Sequence, residues 1–438
     1  MPTDRNSVYQ TNRLLLSKKS HRLSLIVKSD ILLQTLMSKY KSWKSIAPLF
    51  ANMMFGSWYM LVGGLLVLHM DLATTILTLF LGNIIAATLF YSVGLTGLNL
   101  RTSTYEIAKR SFGEYGSRFL ISVFLVLARI GWVGVRAELG GLALAEVFGI
   151  PKLFGVAAFT IALIATTIGS FKKLSLYGWI ALVATALMAV LGLSKVFAEW
   201  NLNDVFDYSP DDNWTILVGI NVVIISKISF GAIVPDFFNK AKSARDVFLG
   251  SLMGFIPAGM IAGSIGAILT ITTGTYDLVE VLNKLNLSFL AFSFLAVSSF
   301  APATLFPAGV GLASIFDKKG ERARQIGTIV AGLGGFALSM FGMLDKFAEF
   351  LNVLGIAFAP ILGVILVEYY LLKTKTNPST GSGLGNKKID AAGLISWLLG
   401  AATVYLSSDV YEVGIACLNG LMISGITYVT IKYFNNKQ

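Results

Sequence analysis

Apolar runs long enough to cross a lipid bilayer recur along almost the whole chain, and they constrain its fold more than any motif does. A hydrocarbon core of ~30 Å takes about 20 residues of helix. Twelve such spans are read, at 45–68, 71–97, 117–148, 152–170, 174–199, 213–238, 246–273, 285–316, 325–344, 347–372, 389–407 and 411–431. Charged residues make up 13% of the chain, against about 25% in a soluble domain, so there is too little polar surface to cover it in water. The expected class is an all-α, multi-pass membrane protein surrounded by lipid.

A net charge of +11 would suit a nucleic-acid binder if the basic residues formed a patch. They alternate between loops instead. The even-numbered connections, counting Arg118 at the edge of one, hold seventeen Lys and Arg; the odd-numbered ones hold Lys152, Lys284 and Lys346. The longest odd connection, 199–213, has four Asp, one Glu and no base. Lys/Arg bias sets orientation, which predicts cytoplasmic even loops in a cell-membrane protein whose N and C termini are both cytoplasmic. Basicity therefore reports topology, and no nucleic-acid partner is expected.

The first 44 residues read as a cytoplasmic arm without the apolar core and cleavage site of a secretory signal. Cys417 is the one cysteine, so no intramolecular disulfide is expected, and His21 and His69 lie too far apart to share a metal. No phosphate loop, GxSxG or HExxH motif occurs, so neither an enzyme nor a nucleotide-driven pump is indicated, and no cofactor is expected. Nothing in the sequence specifies an oligomeric state. Transport would run on an ion or substrate gradient.

The first and sixth spans are interrupted near their middles, by Asn52-Met-Met-Phe-Gly-Ser-Trp58 and by Ser226-Lys-Ile-Ser-Phe-Gly231 followed by Pro235. Paired interruptions in two five-helix halves point to an inverted repeat with a midplane binding site. The expected organisation is a first repeat at 45–199, a second at 213–373 and two peripheral helices at 389–431, joined by the Gly/Ser-rich connector 377–385. Gly63 and Gly64 read as close-packing residues. The loop 102–116 reads as a short helix capped by Thr102 or Ser103 and ended by Gly113.

Four stretches resemble the nucleobase–cation symporter family one, in its purine–cytosine permease branch. They are Ser103-Thr-Tyr to Gly116-Ser, Gly131-Trp-Val-Gly134, Pro235-Asp-Phe237, and Phe350-Leu through Pro360-Ile-Leu-Gly-Val364 to Glu368-Tyr-Tyr370. The resemblance implies a leucine-transporter-like fold and import of a nucleobase-like small molecule coupled to Na⁺ or H⁺ by alternating access. It places Trp132 at a ring-stacking position. It assigns polar contacts to Ser229, the backbone at Phe230 and Gly231, and the first-span stretch ending at Ser57. Phe55 and Gly56 carbonyls with Ser298 and Ser299 hydroxyls would hold a sodium ion, Thr304 being a further hydroxyl.

Three cations depart from that pattern. Arg129 and Arg136 share a helix face with Trp132, where the family places a glutamine at one position or the other. Lys227 stands where a second stacking aromatic is expected, unless Phe230 takes that place. Charges at bilayer depth are costly and mark function unless paired. Three readings compete. The arginines pair internally with Glu138, Asp236 or Glu368; they form a pocket for a planar organic anion or another acidic cargo; or Lys227 changes protonation in place of a coupling cation. A channel would show a continuous polar stripe, whereas these polar groups cluster at the breaks.

Overall fold

A bilayer offers no water to backbone N–H and C=O groups, so they must pair inside the protein, and here they do so by forming helices. The computed structural model describes residues 40–169, 174–210, 213–316, 318, 320–372 and 388–435. The N-terminal arm up to residue 39 and the connector 377–385 lie outside the described residues. Among those described, the elements are helical, with one isolated bridge between Lys41 and Ala241.

The expected spans appear as helices near their predicted bounds. The first is Trp43–Met54 with Ser57–Val67, the second Leu72–Leu100, the third Ser122–Phe148, the fourth Lys152–Ile168 and the fifth Leu174–Glu199. The sixth is Ile216–Gly231 with Val234–Phe238, the seventh Ala244–Thr273 and the eighth Phe289–Ser299 with Pro302–Ile315. Glu321–Met340, Phe347–Val367, Ala391–Tyr405 and Ala416–Asn435 complete the set. Among the described residues seven segments are long and apolar enough to cross a membrane singly, and the first span makes an eighth as a pair of helices bent by 59°. The remaining segments are shorter or more polar.

Packing sorts the core spans into two groups. The seventh packs along both halves of the first and along the second, while the second carries both pieces of the sixth. The third gathers the fourth, eighth and ninth, and the fifth leans on the eighth. The tenth, eleventh and twelfth pack on one another, with the tenth also against the sixth. Small residues permit the closest approach. A Cβ on Gly63 would fall inside the carbonyl of Gly263, so the first and seventh spans meet backbone to backbone.

Loop ends are closed by local side chains. Ser103 Oγ accepts from Glu106 N and starts the short helix, and Gly113 breaks it with φ 75°. Asp236 Oδ1 accepts from Thr104 N at 2.8 Å, tying that helix to the sixth span. At the opposite end of the bundle Asp71 caps the second span, accepting from Thr74 N at 2.8 Å and from Thr74 Oγ1 at 2.6 Å. These bonds hold the Asp71 carboxyl below its ordinary value, the hydroxyl contributing first. Asp71→Ala is expected to cost about 0.5–2 kcal/mol. A depressed native pKa stabilises above the ordinary carboxylate range and ceases to do so as pH falls through the native value. The gap in melting temperature between the parent and Asp71→Ala should therefore close in acid. A gap independent of pH would exclude the carboxylate as its source.

A cationic cavity between the broken spans

Between its two helices the first span leaves the helical conformation for two residues, with Phe55 at φ −80°, ψ 80° and Gly56 extended at φ −150°, ψ 160°. The freed backbone is partly re-satisfied on the spot. Phe55 N donates to Ala51 O, Gly56 N to Met54 O, and the Trp58 indole to Met53 O at 3.0 Å. In the sixth span the helix stops at Gly231 and restarts at Val234, with Pro235 in its first turn, where a missing N–H costs nothing. The eighth span, expected to be continuous, is broken too: Phe300 is extended and Pro302 opens the next helix. A residue preceding proline is driven out of the helical region, which accounts for the break at Ala301.

The breaks of the first and eighth spans border a cavity of about 90 Å³ lined by Asn52, Trp58, Arg129, Arg136, Phe230 and Ser298, among others. Pockets for drug-sized ligands run ~300–1,000 Å³, so this one suits at most a single-ring molecule. Phe55, Gly56 and Thr304 also border it. Ser57 Oγ lies 3.3 Å from Ser299 Oγ, joining the broken first and eighth spans beside the cavity, while Ser298 Oγ donates to Leu295 O. Of the residues assigned to an ion site, Phe55, Gly56 and Ser298 thus border the cavity, and Ser299 meets Ser57. Any cation there would have neutral oxygen ligands, and no cluster of three His, Cys, Asp or Glu exists among the described residues.

The ring-stacking position is occupied differently from expectation. Trp132 is buried behind the cavity, edge-on to Trp58 at 4.8 Å and to Phe350 at 5.3 Å, so Trp58 is the indole that faces the space. Across the cavity Phe230, not Lys227, provides the second aromatic, and the Arg129 guanidinium lies over its ring at 4.6 Å. Lys227 is wholly buried and points elsewhere, donating to Tyr59 Oη at 2.6 Å and Asn83 Oδ1 at 2.5 Å. It does not border the cavity, because its partners sit on the first and second spans. Ser229 and Gly231 are also turned from it: the Ser229 hydroxyl is buried without a partner, and Gly231 packs against Phe90 and Leu362.

Internal pairing of the two arginines is not what the structure shows. Glu138 accepts from Lys152 Nζ at 2.5 Å and from Leu344 N at 3.0 Å, Asp236 caps Thr104, and Glu368 accepts from Tyr428 Oη at 2.8 Å. Arg129 Nη2 and Arg136 Nε are buried and unbonded, and neither arginine has an ion pair among the described residues. The fifth span adds Gly178 and Thr185 to the wall, with Asn52 Nδ2 donating to Gly178 O at 3.0 Å. No break interrupts that span, and its charges, Lys195 and Glu199, lie in its last turns, so nothing in the sequence signals its role at the cavity. On the loop side rich in Lys and Arg, a second cavity of about 680 Å³, bordered by Tyr105, Arg118, Asp236 and Lys318, reaches the opposite side of Arg129.

Broken spans facing one another across a small enclosed cavity, inside two packed groups of helices, define a membrane transporter of the leucine-transporter-like fold. A family model described as "Permease for cytosine/purines, uracil, thiamine, allantoin" matches residues 38–380, and the chain belongs to this family, the nucleobase–cation symporter family one. The cytosine permease of Escherichia coli O157:H7 is 23% identical over 323 residues, 72% of this chain and 75% of that protein. Among solved structures, the inward-facing conformation of Mhp1 superposes with TM-score 0.76 at 17% identity, covering 92% of each chain. Mhp1 in a closed conformation with bromovinylhydantoin bound, described as a nucleobase–cation-symport-1 family transporter, gives 0.71 at 19% identity, covering 91% of this chain and 94% of that one.

Proposed function

We propose that the protein imports a nucleobase-like heterocycle by alternating access, coupled to an inward gradient of Na⁺ or H⁺. The observation that carries this reading is the one-ring cavity between Trp58 and Phe230, bordered by the breaks of the first and eighth spans. Aromatic faces hold a flat ring by stacking, and a few fixed polar groups orient it. Irregular backbone at membrane depth is tolerated where it lines such a cavity or is buried in protein. Arg129 borders both cavities, so the plane of Arg129 and Phe230 is the barrier a substrate would cross toward the basic side. That side is cytoplasmic by its excess of Lys and Arg, which puts both termini inside the cell.

Uptake of radiolabelled cytosine, uracil and allantoin into proteoliposomes tests the reading, with and without a Na⁺ gradient and at two external pH values. An imposed inward gradient of the coupling cation should raise accumulation of at least one of these compounds several-fold above equilibration. Uptake that ignores both gradients would remove symport while leaving a permease. Absence of uptake for every ring compound would remove the heterocycle.

A further inference from the structure

Other charged side chains inside the bundle are matched. Glu138 has Lys152 and a backbone amide, Lys227 has a hydroxyl and an amide oxygen, Arg324 has Glu321 and two carbonyls, and Asp390 has Lys432. Arg129 and Arg136 stand apart. Arg129 is 4% exposed, its guanidinium rests on the Phe230 ring, and its Nη2 has no acceptor. Arg136, two helical turns further along, is half-buried with an unbonded Nε. Both border the same enclosed cavity. The carboxylates that could have neutralised them are engaged by Lys152, Thr104 and Tyr428 instead.

We infer that the substrate of this cavity is an anionic ring compound, a planar heterocycle bearing a carboxylate, which Arg129 and Arg136 hold while Trp58 and Phe230 face its ring. The inference rests on the permease reading above and narrows it. A guanidinium offers a planar fork of donors that matches a carboxylate bidentately, and an unpaired arginine in a low-dielectric cavity gains most from such a partner. The Arg129 guanidinium already lies over Phe230, and its unbonded Nη2 is left for the carboxylate. The same charge bears on coupling. Two unneutralised guanidiniums oppose entry of a Na⁺ into the corner formed by Ser57, Ser298 and Ser299. An anionic substrate would lower that opposition, so cargo and coupling cation would favour each other's binding.

Matched ring pairs differing in one group test the inference: uracil against its 6-carboxylate, orotate, and nicotinamide against nicotinate. Affinities are measured by calorimetry on the purified full-length protein, in chloride and in gluconate. The acid of at least one pair should bind roughly 10- to 100-fold more tightly than its neutral partner, the range of one or two charge-assisted hydrogen bonds. Arg129→Gln and Arg136→Gln should bring that ratio close to one while the neutral ring still binds, which shows the variants folded. Arg136→Lys, keeping the charge without the fork, should fall between. Equal or tighter binding of the neutral rings by the parent protein overturns the inference and leaves the permease reading standing. So does a preference for the acid that survives both glutamine substitutions. Ring binding that requires chloride, whatever the substituent, would assign the arginines to an inorganic anion and also overturn it. If no ring binds at all, the permease reading falls first and takes this one with it.

Discussion

Gly63→Ala should strip the protein of much of its stability, although it adds only one methyl group. The new Cβ would lie 2.7 Å from Gly263 Cα and within the shell of the Gly263 carbonyl, so both obstructing groups are backbone. No rotamer change relieves a clash between two main chains; the first and seventh spans must separate along their shared face. The same face is tight one turn further on, where a Cβ on Gly266 would meet the Met60 carbonyl, so a local tilt moves the strain rather than removing it. Overpacking costs about 1–3 kcal/mol where side chains can adjust, and more where backbones must move. Gly334→Ala is the control, since its Cβ would meet only the flexible Ile130 side chain, at 3.1 Å. In detergent, Gly63→Ala should melt well below Gly334→Ala and yield less monodisperse protein. Equal melting of the two would mean that the spans are not in backbone contact there.

The second large effect concerns Lys227, and its sign depends on which partner is removed. Lys227 Nζ is held by Tyr59 Oη and Asn83 Oδ1 and lies over the Tyr59 ring at 4.5 Å, with no carboxylate among these partners. Asn83→Leu would leave the buried Lys227 amine with a single hydroxyl; if that amine carries its proton, the loss approaches the ~3–5 kcal/mol of a broken buried ion pair. Lys227→Met takes the charge away with nearly the same volume. Asn83 Oδ1 then keeps the Tyr59 hydroxyl, 3.3 Å away in the parent, and its Nδ2 still donates to Leu79 O. That variant should lose no more than ~1 kcal/mol, the net worth of an ordinary hydrogen bond. In the double variant most of the Asn83→Leu penalty should vanish. Chemical unfolding of the four proteins measures the coupling. If Lys227→Met is as damaging as Asn83→Leu and the effects simply add, Lys227 is not charged in the folded protein.

The Lys227 result also shows where a linear reading stops. Lys227 and Phe230 are three residues apart and so lie on nearly the same side of one helix. Periodicity could not say which of them meets the cavity. The choice was made by Asn83, which is 144 positions away in sequence and sits on the second span. Glu138 follows the same logic. Its sequence neighbour is Arg136, yet its partners are Lys152 on the fourth span and the Leu344 amide between the ninth and tenth. The break in the eighth span is hard to read from sequence because the run Phe289–Ile315 carries no charge; Pro302, after the serine doublet, is the signal for it. The family motif singles out Trp132, and nothing in it marks Trp58. The indoles are in edge contact, and the bend at Gly56 decides which one faces the space.

What the chain alone determined are the properties set by local chemistry and by the bilayer as solvent. Span positions followed from apolar length, the breaks of the first and sixth spans from glycine, proline and polar residues at membrane depth, and the caps at Ser103 and Gly113 from turn preference. The family, too, was legible in motif residues. Tertiary structure alone decided which cations are paired, which aromatic faces the cavity and that Arg129 and Arg136 border it without a counter-charge. Those outcomes depend on distances between side chains on different helices, from 14 positions apart for Glu138 and Lys152 to 144 for Asn83 and Lys227. Burying a charge is costly enough that its partner is chosen by where the bundle puts a lone pair, and sequence proximity has no say in that.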